Sequence, residues 1–187
     1  MLAPVSFPVA TFASTTQIPD KLYFFSRSAD KSPGQGANEY IQTPFKYAVL
    51  KATPDWRKML SNFWLAPFEV SGVRWNTIEA MFQGYKINLA RPDIAWQFSL
   101  NSGSALSQAS GDEAQKNRKI VILTPDQLSQ WEAMKENVLY HGLKAKFSQN
   151  PALLRILKAT GTAELWHGTP RVAAQRQYTL ERVRDEL

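Results

Sequence analysis

The segment that begins Thr124-Pro125-Asp126-Gln127 constrains the fold more than any other part of the chain. Threonine caps helices, proline is favoured at the first helical position, and a glutamine three residues after the cap closes a reciprocal pair of hydrogen bonds. The pattern predicts a helix to about Phe147 and, with the elements below, a mainly helical domain. Its inward-facing residues are expected to be Leu128, Trp131, Val138, Leu139 and Leu143.

A second helix is predicted from Asn76. This residue is a candidate cap, and Glu79 follows three residues later, which is a variant of the capping box. The helix is expected to end at Arg91-Pro92. Helical spacing aligns five apolar residues into one buried stripe: Ile78, Met81, Phe82, Tyr85 and Leu89.

Shorter elements are predicted in the rest of the chain. Composition and turn residues favour strands at 22–26, 68–70, 73–75, 119–123 and 163–167, with Ser71-Gly72 closing a tight hairpin. Short helices are predicted at 55–63, 93–100, 151–160 and 178–187, and a long loop at 101–117. The sequence thus predicts one compact multihelical domain of the mainly α (α+β) class, with a few short strands.

The absence of cysteine excludes several classes of protein. A chain of 187 residues buries enough surface to fold without disulfides, and zinc ribbons, thiol nucleophiles and iron–sulfur centres all need cysteine. His141 and His167 lack the HExxH spacing of zinc hydrolases, and no G-x-S-x-G motif occurs. We therefore expect neither a metal nor a cofactor.

The charge predicts an anionic partner. The net charge is +6, and residues 1–99 and 100–187 each carry +3, so the excess does not form a tail.

Residues 1–20 are expected to be a loose arm before a domain at 21–187, because they have no basic region and contain Pro4 and Pro8, unlike a signal peptide. No run approaches the roughly 18 apolar residues of a membrane span. We expect a cytoplasmic monomer that does not act at a membrane.

Two local features each have two interpretations. Ser32-Pro33-Gly34-Gln35-Gly36 lacks the GK[ST] of a P-loop, and is either a loop that cradles phosphate or an ordinary flexible loop. Trp131 is either a core residue or a ring that stacks on a base.

A polar stripe on the second helix indicates chemistry. Glu79, Gln83 and Lys86 recur at i, i+4 and i+7, and seven residues rise about 10.5 Å. Glu79 and Lys86 are therefore too far apart to pair but able to bracket a ligand, as acid–base or nucleophilic catalysis requires. The alternative is that Glu79 only completes a capping box and that Lys86 is only solvated.

Further motifs occur in order between about Leu22 and Leu187. In the first half they are Tyr23-Phe24-Phe25-Ser26, Leu60-Ser61-Asn62-Phe63 with Pro67-Phe68, and Gly72-Val73-Arg74-Trp75-Asn76-Thr77-Ile78-Glu79 with Phe82-Gln83 and Lys86. In the second half they are Trp131-Glu132 with Lys135, Leu143-Lys144-Ala145-Lys146-Phe147 with Gln149-Asn150-Pro151, and Ala159-Thr160-Gly161 with Ala163-Glu164-Leu165. This ordered set resembles the NADAR family, also called YbiA-like.

The resemblance implies a YbiA-like fold and an N-glycosidase that acts on ribosyl N-glycosidic bonds. One branch of the family hydrolyses early riboflavin-pathway intermediates, and another removes ADP-ribose from guanine bases in DNA. The family's glutamate falls on Glu79, its functional tryptophan on Trp131, and its lysine on Lys86. The implied substrate-binding residues are Trp131, Ser26, Arg27, Asn62, Phe63, Trp75 and Gln83.

The chain departs from the family pattern at two places, and the second of them bears on the choice of branch. Ala80 stands where a histidine is usual, and His167-Gly168-Thr169-Pro170-Arg171 replaces an Asp and a Trp-Gly pair of the riboflavin branch. The loops at 26–30, 33–36, 55–58 and 102–104 instead resemble longer members that fit ADP-ribose removal. We therefore expect ADP-ribosylated DNA or an ADP-ribose-type nucleotide as the partner. The alternatives are a glycosidase of phosphorylated riboflavin-pathway intermediates and a non-catalytic module that binds ADP-ribose or NAD.

The resemblance leaves the catalytic roles open. Glu79 would stabilise positive charge on the sugar or handle the proton of water or of the leaving base. Lys86 would either form an imine with the opened sugar or, when protonated, bind diphosphate.

Overall fold

A computed structural model describes residues 18–169 and 172–187, so most of the predicted arm at 1–20 lies outside the described residues. Within them the helices are α1 (Ala48–Lys51), α2 (Trp56–Leu60), α3 (Ile78–Asn88), α4 (Pro92–Trp96), α5 (Gly111–Lys116), α6 (Pro125–Gln149), α7 (Pro151–Ala159) and α8 (Tyr178–Glu186). The strands are β1 (Lys21–Phe24), β2 (Phe68–Val70), β3 (Val73–Trp75), β4 (Glu164–His167) and β5 (Gln175–Arg176). The predicted mainly α (α+β) class is confirmed.

Helix α6 begins as its sequence predicts. The Thr124 hydroxyl accepts from the Gln127 N–H at 3.3 Å, and the Gln127 side chain accepts from the Thr124 N–H at 2.9 Å. Gln127 Nε2 also donates to the Leu89 carbonyl at 3.0 Å, which ties the start of α6 to the end of α3. The inward position predicted for Leu128 is wrong: this side chain is 43% exposed, because the first turns of α6 lie outside the core until Trp131.

Helix α3 begins one residue later than predicted, which changes the role of Glu79. Thr77 is the cap, and its hydroxyl accepts from the Ala80 N–H at 3.0 Å. Asn76 instead belongs to the hairpin edge, where its carbonyl accepts from the Ala66 N–H at 3.1 Å. Glu79 is therefore the second helical residue, and its carboxylate is not used in a capping box.

The two longest helices approach closely at Gly142 on α6. A Cβ at this position would lie 2.1 Å from Met81 Cε and 3.2 Å from Ile78 Cδ1 on α3. A larger residue would force the buried Met81 side chain to move, and well-packed interiors do not absorb an added methyl group without strain. Glycine at 142 therefore leaves room for the Met81 side chain where α3 packs against α6.

A small sheet covers one end of the helices. β4 is the central strand, parallel to β1 and antiparallel to β5. β2 and β3 form the separate hairpin that the sequence predicts, with Ser71 and Gly72 at positive φ in its turn. Asp20, the residue before β1, is tied to the folded domain: its side chain accepts from the Gln42 N–H at 2.8 Å and from the Tyr47 hydroxyl at 2.6 Å.

The region between α4 and α6 differs from its prediction. The long loop expected at 101–117 contains α5, which begins with a capping box between Ser110 and Glu113. The strand expected at 119–123 is wrong, because no other strand pairs with these residues in the part of the chain that the structure describes. The alternation that predicted it is real: Val121 and Leu123 pack inward, whereas Ile122 is 91% exposed.

Glu39 and Arg57 hold the glycine loop in place. Arg57 Nη2 lies 2.7 Å from Glu39 Oε2, and both side chains are almost completely buried. The same carboxylate accepts from the Gly34 and Gly36 N–H groups at 2.9 Å and from the Tyr23 N–H at 3.1 Å. The phosphate-cradling interpretation of the loop is therefore not supported, since the chain's own carboxylate occupies these donors.

No helix in residues 18–169 and 172–187 is both long and apolar enough to cross a membrane. In the same residues, His, Asp and Glu side chains form no group of three or more with the geometry of a metal site.

Candidate active site

A cavity of about 540 Å³ lies between the β1 end, α2, α3 and α5. Five of the nine residues predicted for the site line it. These are Ser26, Arg27, Asn62, Phe63 and Glu79. The fold thus brings these five residues, which lie up to 53 positions apart in the sequence, into the wall of one cavity.

Glu79 is the buried acid of this cavity, with only 7% of its surface exposed. Gln83, one helical turn away, donates from Nε2 to Glu79 Oε1 at 2.8 Å. Burial raises the pKa of the Glu79 carboxyl above its ordinary value, and the Gln83 hydrogen bond and the charges of Arg118 and Lys86 oppose this only in part. A carboxyl with a raised pKa is suited to exchange protons near neutral pH.

Gln83 leaves one polar atom available. Its Oε1 is buried and has no hydrogen-bond partner among the described residues. Buried acceptors are almost always satisfied by protein, water or ligand. Gln83 is therefore placed to orient Glu79 through its amide N–H and to receive a hydrogen bond through its oxygen.

Lys86, Trp75 and Trp131 do not line this cavity, and neither does Gln83, whose substrate-binding role also stays a prediction. Lys86 is half-buried on the same side of α3, and its charge acts on the Glu79 carboxyl. Trp75 lines a separate pocket of about 230 Å³ beside Gly84 and Trp96. Trp131 is 3% exposed, and its ring meets the Phe82 ring edge to face at 4.6 Å between centroids. The binding roles of these three residues stay predictions.

A second cavity of about 470 Å³ adjoins the first. The two share Phe25, Arg27 and Thr169 in their walls, so they lie side by side, and together they are called the groove below. The second chamber is lined by three cationic residues, Arg27, Lys31 and Arg57, and by no acidic residue among the described ones. Arg57 is paired with Glu39 beneath the surface, whereas Lys31 is exposed at the chamber.

Several residues of the groove have no counterpart in the sequence prediction. His167 and Thr169 enter from the end of β4, and Asp112 and Gln115 enter from α5. Asp112 also lies 3.1 Å from Arg27 across the cavity rim. The sequence does contain a signal for α5: the Ser110-x-x-Glu113 capping box indicates a helix within the segment predicted as a loop.

His167 is a second titratable group in the wall. Its ring packs edge to face against Phe24, and burial lowers the pKa of the imidazole below its ordinary 6.5. It is therefore mainly neutral at pH 7, and one ring nitrogen can accept a proton.

Lys146 supports the cavity wall from behind. This lysine of α6 is completely buried, and its Nζ donates to the Met59 carbonyl at 3.0 Å and to the Ser61 carbonyl at 2.8 Å. Asn62, the next residue, accepts from the Glu79 N–H at 3.1 Å through its own carbonyl. Lys146 thus fixes the loop to which the start of α3 is attached.

The pH dependence of stability tests the burial of Lys146. Burial lowers the pKa of Lys146 from 10.5 to about 7, so between pH 7 and 9 the unfolded chain carries a proton that the folded chain loses. Stability should therefore rise with pH in this window, by up to about 2 kcal/mol from this group. Lys146→Met is expected to abolish the rise in urea unfolding measured at pH 7 and pH 9. An equal rise in both proteins would contradict the lowered pKa.

The described chain is a mainly helical α+β protein with a buried carboxyl in one cavity and a cation-lined chamber beside it. Residues 50–173 match the model of the NADAR domain, and the chain belongs to the NADAR family. It is 32% identical over 107 residues to N-glycosidase YbiA of Escherichia coli (strain K12), a match that covers 56% of this chain and 59% of YbiA. The chain thus spans less than two thirds of the length of that curated relative.

The fold is similar to a solved structure from the same family. The NMR structure of the E. coli protein YbiA superposes with a TM-score of 0.53 and 25% identity, over 70% of this chain and 77% of that chain. The YbiA-like fold expected from the sequence is therefore confirmed.

Proposed function

We propose that this protein is an N-glycosidase that hydrolyses a ribosyl N-glycosidic bond and removes ADP-ribose from guanine bases in DNA. Family membership and the similarity to a protein named N-glycosidase YbiA support the class of reaction. The lining and the size of the groove support the choice of substrate.

The shape and charge of the groove favour an ADP-ribosylated base as the substrate. The Glu79 chamber has room for a sugar and its base, and the neighbouring chamber, of about 470 Å³, is lined by cations. A diphosphate that links two nucleoside halves matches such a chamber, because its charges meet Arg27 and Lys31. A small monophosphorylated intermediate would leave the second chamber unused.

The chemistry follows from a carboxyl with a raised pKa. The bond between the anomeric carbon and the base nitrogen breaks, its electron pair leaves with the base, and the base takes up a proton. Positive charge grows on the sugar, and the Glu79 carboxylate stabilises it. The carboxylate then accepts a proton from the water whose oxygen bonds to the anomeric carbon and passes it to the leaving base, so Glu79 ends the reaction as a carboxylate.

Lys86 has two candidate roles, and trapping distinguishes them. As a nucleophile, its amine would bond to the anomeric carbon and carry the ring-opened sugar as an imine until water releases it. As a cation, it would bind diphosphate. Lys86→Ala is expected to lose most activity, about tenfold or more, whereas the exposed control Lys51→Ala is expected to retain it. Borohydride would trap a protein–sugar adduct only on the imine route, and normal turnover by Lys86→Ala would exclude both roles.

A direct assay tests the proposed function. The protein is incubated with an oligonucleotide that carries ADP-ribosylated guanine and, separately, with the phosphorylated pyrimidine intermediates of riboflavin synthesis. Release of free ADP-ribose from the oligonucleotide alone is the expected result. Turnover of the pyrimidines alone would support the riboflavin-intermediate glycosidase instead. Tight ADP-ribose binding without turnover of either substrate would identify a non-catalytic module.

A further inference from the structure

The segment 116–123 combines exposed cations with exposed aliphatic side chains. Lys116, Arg118 and Lys119 are exposed, and none of them forms an ion pair with another described residue. Ile122 is 91% exposed and Ile120 is 49% exposed. Covering such a side chain with a partner would release its apolar surface from water and so favour binding.

The segment is held rigidly enough to present these side chains. Val121 and Leu123 alternate with the two isoleucines and pack inward. Arg118 Nη1 donates to the Gln115 carbonyl at 3.0 Å, which anchors the turn to α5. The isoleucines are therefore directed outward by the packing of their neighbours.

The segment also borders the groove. It continues directly from α5, whose Asp112 and Gln115 line the Glu79 cavity. The acids nearby are already engaged: Asp112 lies against Arg27, and the Glu113 carboxylate accepts from the Ser110 N–H at 2.8 Å. Lys116 and Lys119 are thus available to an external anion, as is Arg118, whose charge also acts on the Glu79 carboxyl.

We propose that the segment 116–123 is a nucleic-acid contact surface, on which Lys116, Arg118 and Lys119 bind strand phosphates and Ile120 and Ile122 pack against bases beside the modified nucleotide. This inference rests on the proposed function, because it assigns the polymer part of that substrate. Strand binding has two components. Cations pair with the phosphates along the backbone, and apolar side chains beside them contact unstacked bases. A base that enters an enzyme cavity leaves a gap in its stack, and an aliphatic side chain at the rim can fill it.

Binding of an undamaged strand tests the surface without reference to catalysis. Fluorescence polarisation of a labelled single-stranded oligonucleotide is measured over a range of salt for the wild type and for Lys116→Ser/Arg118→Ser/Lys119→Ser. Each phosphate contact on a single strand contributes about 0.7 to the slope of log K against log salt, so the slope should fall by about 2. The matched control, Lys46→Ser/Lys51→Ser/Arg155→Ser, removes three exposed cations elsewhere and should keep the slope. Equal effects of the two triple variants would overturn the proposal.

The isoleucines are tested by a separate pair of variants. Ile122→Ser is expected to weaken strand binding about fivefold, because partial burial of its side chain is lost, whereas Phe45→Ser, also highly exposed, should have no effect. An unchanged affinity for Ile122→Ser would overturn the role of the isoleucines. Binding to anionic lipid vesicles but not to the strand would overturn the whole assignment.

Catalysis provides the third readout and separates the two proposals. The variant for this readout is Lys116→Ser/Lys119→Ser, which keeps Arg118 because its charge acts on the Glu79 carboxyl. It should lose activity on the ADP-ribosylated oligonucleotide while retaining it on free ADP-ribosylguanosine. A wild type that cleaves neither substrate but still binds the strand would contradict the proposed function and leave the surface supported. A wild type that cleaves both, with the Lys116→Ser/Lys119→Ser variant equal to it on both, would contradict the surface and leave the function supported.

Discussion

Replacing Glu79 with glutamine is expected to lower kcat on the proposed substrate by about 10²- to 10⁴-fold, the usual contribution of a positioned acid–base group. Glutamine keeps the shape of the side chain and an oxygen that can accept from Gln83 Nε2, which now lies at 2.8 Å. It removes the negative charge that faces the sugar and the site that exchanges a proton. The measurement is release of ADP-ribose from the modified oligonucleotide, with the exposed Glu69→Gln as the control.

Stability and pH separate this loss from unfolding. Burial raises the pKa of Glu79 above 4.5, so the folded carboxyl costs stability once pH rises through its raised pKa, and Glu79→Gln removes that cost. The variant should therefore be at least as stable as the wild type at pH 7. In the wild type, the acid limb of kcat/KM should have its midpoint above 4.5. Near-normal turnover by Glu79→Gln would sink the assignment of Glu79 as the catalytic carboxyl.

Glu39→Gln is expected to destabilise the protein by about 3–5 kcal/mol, because it leaves the buried Arg57 guanidinium without its opposite charge. Both side chains are enclosed, at 4% exposure for Arg57 and 0% for Glu39. The glutamine would also weaken the hydrogen bonds to Gly34 and Gly36, and Gly36 lines the second chamber. Urea unfolding of the two proteins at pH 7 measures the difference.

A double variant distinguishes loss of the ion pair from loss of the loop. Arg57→Met/Glu39→Gln leaves no unpaired buried charge and should recover part of the lost stability. Glu69→Gln, an exposed glutamate on β2, should change stability by less than about 0.5 kcal/mol. If Glu39→Gln were as mild as that control, the buried pair would not be a main support of the glycine loop.

Features that depend on contacts between residues close in the sequence could be predicted from the sequence. The Thr124 capping box, the Ser71-Gly72 hairpin turn and the polar stripe of Glu79 and Gln83 all depend on contacts within four residues. Such signals are local because a cap or a helical turn is completed inside one element. The 119–123 segment shows their limit, since alternation predicts a strand only if another strand is there to pair with it.

The sequence by itself determined the main helices and the class of fold, and it identified Glu79 as the candidate carboxylate. Only the tertiary structure decided what surrounds that carboxylate: His167 from β4, Asp112 from α5, and the loop that Lys146 holds from α6. These contacts join residues dozens of positions apart, and they depend on how closely elements such as α3 and α6 approach at Gly142. The reason is physical: a local pattern sets the shape of one element, but burial, pKa and groove shape arise only where several elements exclude water together.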